Sequence, residues 1–334
     1  MGIPNLNRYL QTNCAQSIQR IKLSDLSGKR IAIDVSIYLY RFEADESLLE
    51  NMYLMLAIFE HYNITPIFIF DGKAPPEKKS LLIKRKEARE QAQEDYDAFK
   101  NELNDALDAD KKQELVAKMD NLKPQMVQIT ADKIRIVKRL IAAFGNMFCD
   151  APGEADEMCA QLVLNGAAWA CLSEDMDLFV YGATRVLRYF SLIAHTAVLY
   201  NTLDILSELK MTQKEFKEVC VLSGTDYSIV QDNTLVSVNK NPKKLKLTQS
   251  IKYFYKFKQD TDIHSNNISF YDWLQKNTKF INNVDALYKI IDMFQLSEKN
   301  TNILTNTFIT NEKDQATVEA IMAAVDFIFV PKAI

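Results

Sequence analysis

Absences narrow the possibilities before any motif is read. No apolar run in the 334 residues is long enough to cross a bilayer. The N-terminal stretch MGIPNLNRYLQ has no apolar core of the secretory kind. Leu6 stands where a myristoylation signal carries Ser or Thr. No membrane partner is expected, and the expected setting is intracellular. Cys14, Cys149, Cys159, Cys171 and Cys220 include no C-x-x-C pair. That argues against a disulfide framework and against a zinc site of known spacing, and for reduced, buried thiols. There is no internal repeat. Glycine and proline nearly vanish between residues 77 and 147, and residues 228–247 hold no glycine at all. Net charge is only −4, so no overall basic excess points to nucleic acid. Acids gathered at one point would, however, hide a basic surface elsewhere.

What remains is an ordinary globular composition, 48% hydrophobic and 25% charged, enough for one large or two modest domains. RIAID and PIFIF read as buried strands, with SLLENMYLMLAIFEHYNI between them at helical spacing. That order predicts a βαβ unit and a central, mostly parallel, twisted sheet flanked by helices. Residues 1–28 read as a short helix and an approach to the first strand. NMFCD and AAWACLS are further strands; TRVLRYF and TAVLYN alternate and are expected to pair. Pro75 and Pro76 open a long helical stretch over about 77–130, which Pro124 is expected to break. Lys73 to Glu90 carries seven Lys or Arg against three Glu. Its middle, 91–120, reads as a solvated helical arm or a disordered segment. ITADKIRIVKRLIAAFG resumes an amphipathic helix. From about Thr202 the pattern is helical, interrupted by a polar, turn-rich stretch over residues 228–250.

Seven carboxylates carry the chemistry: Asp34, Asp71, Glu154, Asp156, Asp175, Asp177 and Asp226. Asp34, Asp71 and the Asp175–Asp177 pair follow strand-like runs, and open parallel sheets bind ligands at the carboxyl ends of their strands. Taken singly, such aspartates are better explained as caps and turn formers. The spacings Glu154-x-Asp156 and Asp175-x-Asp177 put paired carboxylates within a turn. So many acids in one crevice cannot all ionise without cations, and oxygen-only ligands favour Mg²⁺ or Mn²⁺. A two-metal site for phosphoryl transfer accounts for the set. A small-molecule phosphatase on a similar sheet is a rival reading. It leaves unexplained a stretch from Lys240 to Lys258 with seven lysines, no acid, and Tyr253, Phe254, Tyr255 and Phe257 interleaved. The lysines there suit duplex-backbone contact; the aromatics suit the core of an amphipathic helix.

Six ordered pieces, MGIPNL, IAIDVSIYLYRF, FIFDGKAPPEKKSLLIKR, DAPGEADEMCA, SEDMDLFVYG and VLSGTDY, resemble the flap endonuclease family, the XPG-type structure-specific 5′ nucleases. The resemblance spans residues 1 to about 227, and so implies a 1–227 nuclease core followed by a helical 228–334 region. It implies a 5′-nuclease, PIN-like fold with a helical arch and a helical C-terminal DNA-binding part. It implies cleavage of 5′ flaps, with 5′→3′ exonuclease activity, in replication or repair. A 5′→3′ exonuclease on DNA or RNA and a non-catalytic branched-DNA scaffold are the alternatives. By position, the seven acids would hold two Mg²⁺, with Mn²⁺ able to substitute. Asp156 replaces a usual Glu, which shortens that ligand by one methylene. Lys78 and Arg85 fall where the family contacts the scissile phosphate, Tyr40 where it stacks a base, and Gly2 where a small residue lies near DNA. The duplex contacts are expected at Lys240, Lys243, Lys244, Lys246 and Lys252. Branched or flapped DNA is the implied partner of a monomeric protein in the nucleus or a viral replication compartment.

Three departures qualify that expectation. The family's Gly-rich helix–turn–helix, with its potassium site, is not matched by SIVQDNTLVSVNKNPKKLKL, since backbone approaches a phosphate most closely at glycine. RFEADESLLENMY is short where cellular members carry an insertion that forms a wedge and a 3′-flap pocket. No sliding-clamp motif is recognisable in DFIFVPKAI.

Overall fold

A computed structural model describes residues 2–105, 109–227, 245–260, 268–281, 283–297 and 311–329. The chain opens with α1 (Leu6–Asn13) and a strand, β1 (Ile18–Lys22). β2 (Arg30–Asp34) runs directly into α2 (Val35–Ala44), and α3 (Leu48–His61) leads to β3 (Thr65–Phe70). A tight turn at Pro76–Lys78 starts an antiparallel-looking pair of long helices, α4 (Lys79–Asp105) and α5 (Ala109–Met126), which pack on each other. Then come α6 (Ala131–Ala143), β4 (Met147–Asp150), α7 (Ala155–Leu164), β5 (Ala170–Leu172) and the short α8 (Asp177–Tyr181). β6 (Arg185–Ser191) and β7 (Thr196–Asn201) form a hairpin, followed by α9 (Thr202–Glu208) and α10 (Gln213–Ser223). Beyond residue 227 lie α11 (Leu247–Gln259), α12 (Phe270–Asn277), α13 (Val284–Met293) and α14 (Gln315–Ala323).

Among the described residues the strands make one sheet, ordered β1-β7-β6-β5-β2-β3-β4. β4, β3, β2, β5 and β6 are mutually parallel; β7 and β1 join antiparallel at one edge. The expected sheet and the β6–β7 pairing are as read from the sequence. β1 is a correction: residues 15–28 hold a strand of their own. IQRIK buries neither face fully, as an edge strand allows, so its apolar signal is weak. The run does break near Pro124: α5 ends at Met126 and the next helix starts at Ala131. Pro124 lies in the last turn of α5, so the bond its missing N–H forfeits and the clash of its ring fall where the helix is already ending.

Both sheet faces are covered, as a parallel sheet requires. Along β2, Ile31 and Ile33 face one core while Ala32 faces the other; along β3, Phe68 and Phe70 oppose Ile67 and Ile69. One core is closed by α1, α7, α10, α11, α12 and α13, the other by α2, α3, α6 and α14. Each fully buried Phe, Ile or Leu contributes roughly 1.5–3 kcal/mol relative to exposure. Chain beyond residue 227 enters both cores: Phe254, Phe270 and Leu287 on one side, Val318 and Met322 on the other. The interleaved aromatics of α11 are core or half-buried, with Phe254 fully buried. The cysteines are free, and all but the half-buried Cys149 are buried.

Candidate active site

β2→β3→β4 runs one way along the sheet and β5→β6 the other, so the strand order reverses between β2 and β5. The crevice at such a switch point is where open α/β sheets bind ligands. Asp34 is the last residue of β2, Asp71 follows β3, and Asp175 lies just past β5. Glu154 precedes α7 and Asp156 sits in its first turn; Asp177 opens α8, and Asp226 follows α10. Negative charge at a helix N-terminus meets the positive end of the helix dipole, which helps α7 and α8 to carry these acids.

The loops are held by specific bonds. Ala155 N–H donates to Asp71 Oδ1 at 2.8 Å, and Gly72 N–H to the Gly153 carbonyl at 2.8 Å, so the loops after β3 and β4 are stitched together. A Cβ at position 72 would strike the Ala151 carbonyl, which makes glycine necessary. Ser173 Oγ donates to Asp34 Oδ2 at 2.8 Å and accepts from Asp175 N–H at 3.0 Å. Asp177 N–H donates to Asp175 Oδ1, also at 3.0 Å. Gly2, with φ +74°, lies against both of these aspartates: a Cβ there would come within 2.5 Å of Asp175 Oδ1 and of Asp177 Oδ1.

All seven acids share one electrostatic field. Burial, then Asp71, pushes Asp34 up to about 7. Burial raises Asp156 well above the carboxylate range, helped by Glu154 and Asp175. Burial raises Asp177 as well, with Asp175 and Asp226 adding to it. Protein cations sit among them. Lys78 Nζ, on a buried side chain, donates to Glu154 Oε1 at 2.7 Å and lies 4.7 Å from the centre of the Tyr227 ring. Burial alone would lower the Lys78 pKa, but Glu154 and Asp156 outweigh it and the ammonium is held firmly charged. Arg85, half exposed, reaches Asp226 at 3.5 Å.

Among the described residues no group of three or more His, Cys, Asp or Glu side chains stands as a ready-made metal cage. The fit to a cation rests instead on Asp177. Its side chain is fully buried, and among the described residues neither carboxylate oxygen has a hydrogen-bond partner. Such a group costs several kcal/mol unless something compensates it. A divalent cation would do so, and a set of carboxylate oxygens alone is the chemistry Mg²⁺ and Mn²⁺ select.

The remaining expected residues divide. Tyr40 is half exposed on α2, so it is a surface aromatic and not core. Lys246 stands exposed at the N-cap of α11 and Lys252 is exposed within it, while Lys240, Lys243 and Lys244 lie outside the described residues. α2 and α3 are joined by Asp45, Glu46 and Ser47 alone, so no inserted wedge element occupies that junction.

Several residues of the site escape a reading by acid spacing. Ser173 opens the quoted motif SEDMDLFVYG and Tyr227 closes VLSGTDY, and their place beside the acids of those motifs was the available signal. Arg188 had none. It is a buried arginine on β6 that donates to Asn7 Oδ1, donates to the Glu174 carbonyl at 2.9 Å and pairs with the Glu174 carboxylate at 3.2 Å. Tyr200 Oη donates to the same Asn7 oxygen at 2.9 Å. Together they tie α1, and the Gly2 segment ahead of it, to the sheet. Beside them a cleft of ≈ 360 Å³ is lined by Gly2, Asn5, Asn7, Arg8, Arg188 and Asp226.

A switch-point crevice filled with carboxylates on a parallel sheet defines an α/β protein with an acidic, cation-seeking centre. Family models are specific about which: the XPG N-terminal domain matches residues 1–92 and the XPG I-region residues 145–226, together just over half of the chain. The chain belongs to the XPG family. Flap endonuclease 1 of Glycine max is 32% identical over 246 residues, 68% of this chain and 62% of that protein. The chain thus spans somewhat less than two thirds of the length of the curated relatives it matches. Among solved structures, the catalytic core of Rad2 in complex with DNA substrate superposes with a TM-score of 0.64 at 20% identity, covering 97% of this chain and 95% of that one. The Holliday junction-resolving enzyme GEN1, in complex with product DNA and Mg²⁺ and Mn²⁺ ions, superposes at 0.59 with 16% identity, covering 94% and 71%. These likenesses establish the fold.

Proposed function

We propose that this protein is a structure-specific 5′ nuclease that hydrolyses phosphodiester bonds of flapped or branched DNA inside the cell, in replication or repair. The observation that carries the reading is the buried Asp177 carboxylate, without a hydrogen-bond partner among the described residues, in a seven-acid crevice that also holds Lys78, with Arg85 at its rim. The flap endonuclease relatives and the DNA-bound and metal-bound neighbours support it.

Asp34, Asp71, Glu154, Asp156, Asp175, Asp177 and Asp226 would hold two Mg²⁺ or Mn²⁺. Bound divalent ions supply Lewis-acid stabilisation of phosphate charge and a nucleophilic water at neutral pH. Lys78 and Arg85 add donors where negative charge grows on the phosphoryl oxygens. Tyr40, exposed on the helix that begins at Asp34, offers a stacking face indifferent to base identity. α4 and α5 form the arm beside the crevice through which a free 5′ strand would pass. α11 presents Lys246 and Lys252 to the duplex backbone, continuing the lysine run from Lys240, Lys243 and Lys244. The protein acts as a monomer in the nucleus or a viral replication compartment.

The test is cleavage of a 5′-flap, a nicked duplex, a blunt duplex, and single strands of DNA and RNA, each with Mg²⁺ and with EDTA. A single Mg²⁺-dependent product released at the flap junction is the expected result. A ladder of mononucleotides would make the site that of an exonuclease. Binding without cleavage of any substrate would make the protein a scaffold.

A further inference from the structure

Tyr227 touches three parts of the crevice at once. Its hydroxyl donates to Glu154 Oε2 at 2.6 Å, while Lys78 occupies Glu154 Oε1 at 2.7 Å. Its ring face carries the Lys78 ammonium at 4.7 Å. Glu154, Lys78 and Tyr227 therefore form a closed triangle, in which each member is fixed by the other two.

The ring is itself immobilised. Tyr227 is buried, its ring meets Phe294 edge-on at 5.2 Å, and its hydroxyl lies 3.5 Å from that of Tyr181, whose ring meets the same Phe294. Phe294 follows α13 and is buried; its carbonyl accepts from Lys217 Nζ at 2.9 Å. Three residues on, Ser297 N–H donates to Glu157 Oε1 at 2.7 Å, on the helix that Glu154 caps. The aromatic platform at the triangle is thus anchored to α10 through Lys217 and to α7 through Glu157.

We propose that Tyr227 is a positioning residue, which sets the Glu154 carboxylate for a cation and the Lys78 ammonium for a phosphate. The inference rests on the reading of the crevice as a metal-dependent nuclease site. A carboxylate oxygen has two lone pairs. One hydrogen bond to each Glu154 oxygen fixes the plane of the group and leaves a lone pair on each for coordination. Partners of this kind, outside the ligands themselves, commonly set metal affinity. A buried tyrosine satisfied by chance would need only one acceptor; it would not also supply the surface on which the neighbouring cation rests.

The experiment compares wild type, Tyr227→Phe and Tyr181→Phe. Mg²⁺ half-saturation is read without DNA from the rise in thermal midpoint, and kcat and KM are read on 5′-flap DNA. Tyr227→Phe keeps the ring, so its midpoint in EDTA should stay near wild type. Its Mg²⁺ half-saturation should rise about tenfold and its kcat fall about tenfold, with KM little changed. Tyr181→Phe removes a hydroxyl that, among the described residues, meets only that of Tyr227, and should behave as wild type. In a Glu154→Gln background, Tyr227→Phe should add little, because both act through one carboxylate. Wild-type Mg²⁺ response and kcat in Tyr227→Phe would overturn the inference. So would a lowered EDTA midpoint with unchanged Mg²⁺ response, which marks a packing role only. A wild-type protein that neither responds to Mg²⁺ nor cleaves would remove the parent reading, and the inference with it.

Discussion

Lys78 and Arg85 lie in one basic stretch, yet the fold treats them in opposite ways. Lys78 sits at the base of the arm, buried and bonded inside the acid crevice. Arg85 is two helical turns up α4, with half its side chain in solvent and a longer contact to Asp226. The crevice is over-determined, since Asp34, Asp71, Glu154 and Asp175 each accept from a named donor. The arm is not: of the described residues in α4 and α5, Ala92, Leu115 and Met119 are the buried apolar ones. A charge fixed in a water-poor crevice acts at full strength and needs no reorganisation, whereas one on a solvated helix is screened and must be ordered by its ligand. The difference suggests a division of labour, with chemistry at the crevice and substrate admission on the arm.

The strongest way to break that comparison is to neutralise the crevice. Asp175→Asn and Asp177→Asn should each lower single-turnover cleavage by about a thousandfold or more, in line with loss of a preorganised electrostatic element. Affinity for flap DNA measured in EDTA should hardly change. Near-wild-type cleavage in both variants would remove the metal assignment.

The two cations sharpen it further. Lys78→Ala should cost about a hundredfold in kcat, because the acids lose a buried counter-charge as well as a phosphate donor. Its thermal midpoint in EDTA should drop, and added Mg²⁺ should restore most of the loss. Arg85→Ala should cost about tenfold in cleavage and leave the EDTA midpoint unmoved. Equal effects of the two substitutions on the EDTA midpoint would show that the crevice and arm are not electrostatically distinct.

The same contrast explains what could be read without coordinates. The crevice was legible because strand ends and acid spacing are local: RIAID, PIFIFD and SEDMD each place a carboxylate at a position that sheet topology then brings together. The sheet itself was legible from runs such as PIFIF, whose two faces enter two cores. β1 was not, since an edge strand with polar faces carries little periodic signal. Arg188 and Asn7 were not, because their bond joins residues 181 apart in the chain and nothing in either neighbourhood encodes it. Burial of Lys78 was equally invisible: a lysine in a basic helix reads as solvated until Glu154 and Tyr227 are placed around it.

Acidity offers a third, gentler perturbation of the crevice. Asp34 is raised from 3.8 to about 7 by burial and by Asp71, and burial raises Asp156 and Asp177 in the same direction. A carboxylate whose folded pKa lies above its unfolded value stabilises the fold below the unfolded pKa, and that stability is lost as pH rises through the folded one. The thermal midpoint in EDTA should therefore fall between about pH 4 and pH 7, on the Asp34 values. Excess Mg²⁺, which favours the ionised acids, should flatten or reverse the fall, and Asp34→Asn should make the EDTA profile shallower. An EDTA profile that rises across this range would mean that the acids are not held against their charge.

The smallest effect is expected farthest from the chemistry. Lys246 and Lys252 are exposed on α11, whose other face is pinned by Phe254 and Ile251; their only expected task is to meet phosphates. Replacing Lys243, Lys244 and Lys246 together should weaken flap-DNA binding severalfold at moderate salt. Each lost phosphate contact should reduce the slope of log affinity against log salt by about 1. The position of the cut should not move, because register is set where the acids are. Unchanged affinity and slope would place the lysine run away from the duplex, and a shifted cut with unchanged slope would make it part of the crevice's own geometry.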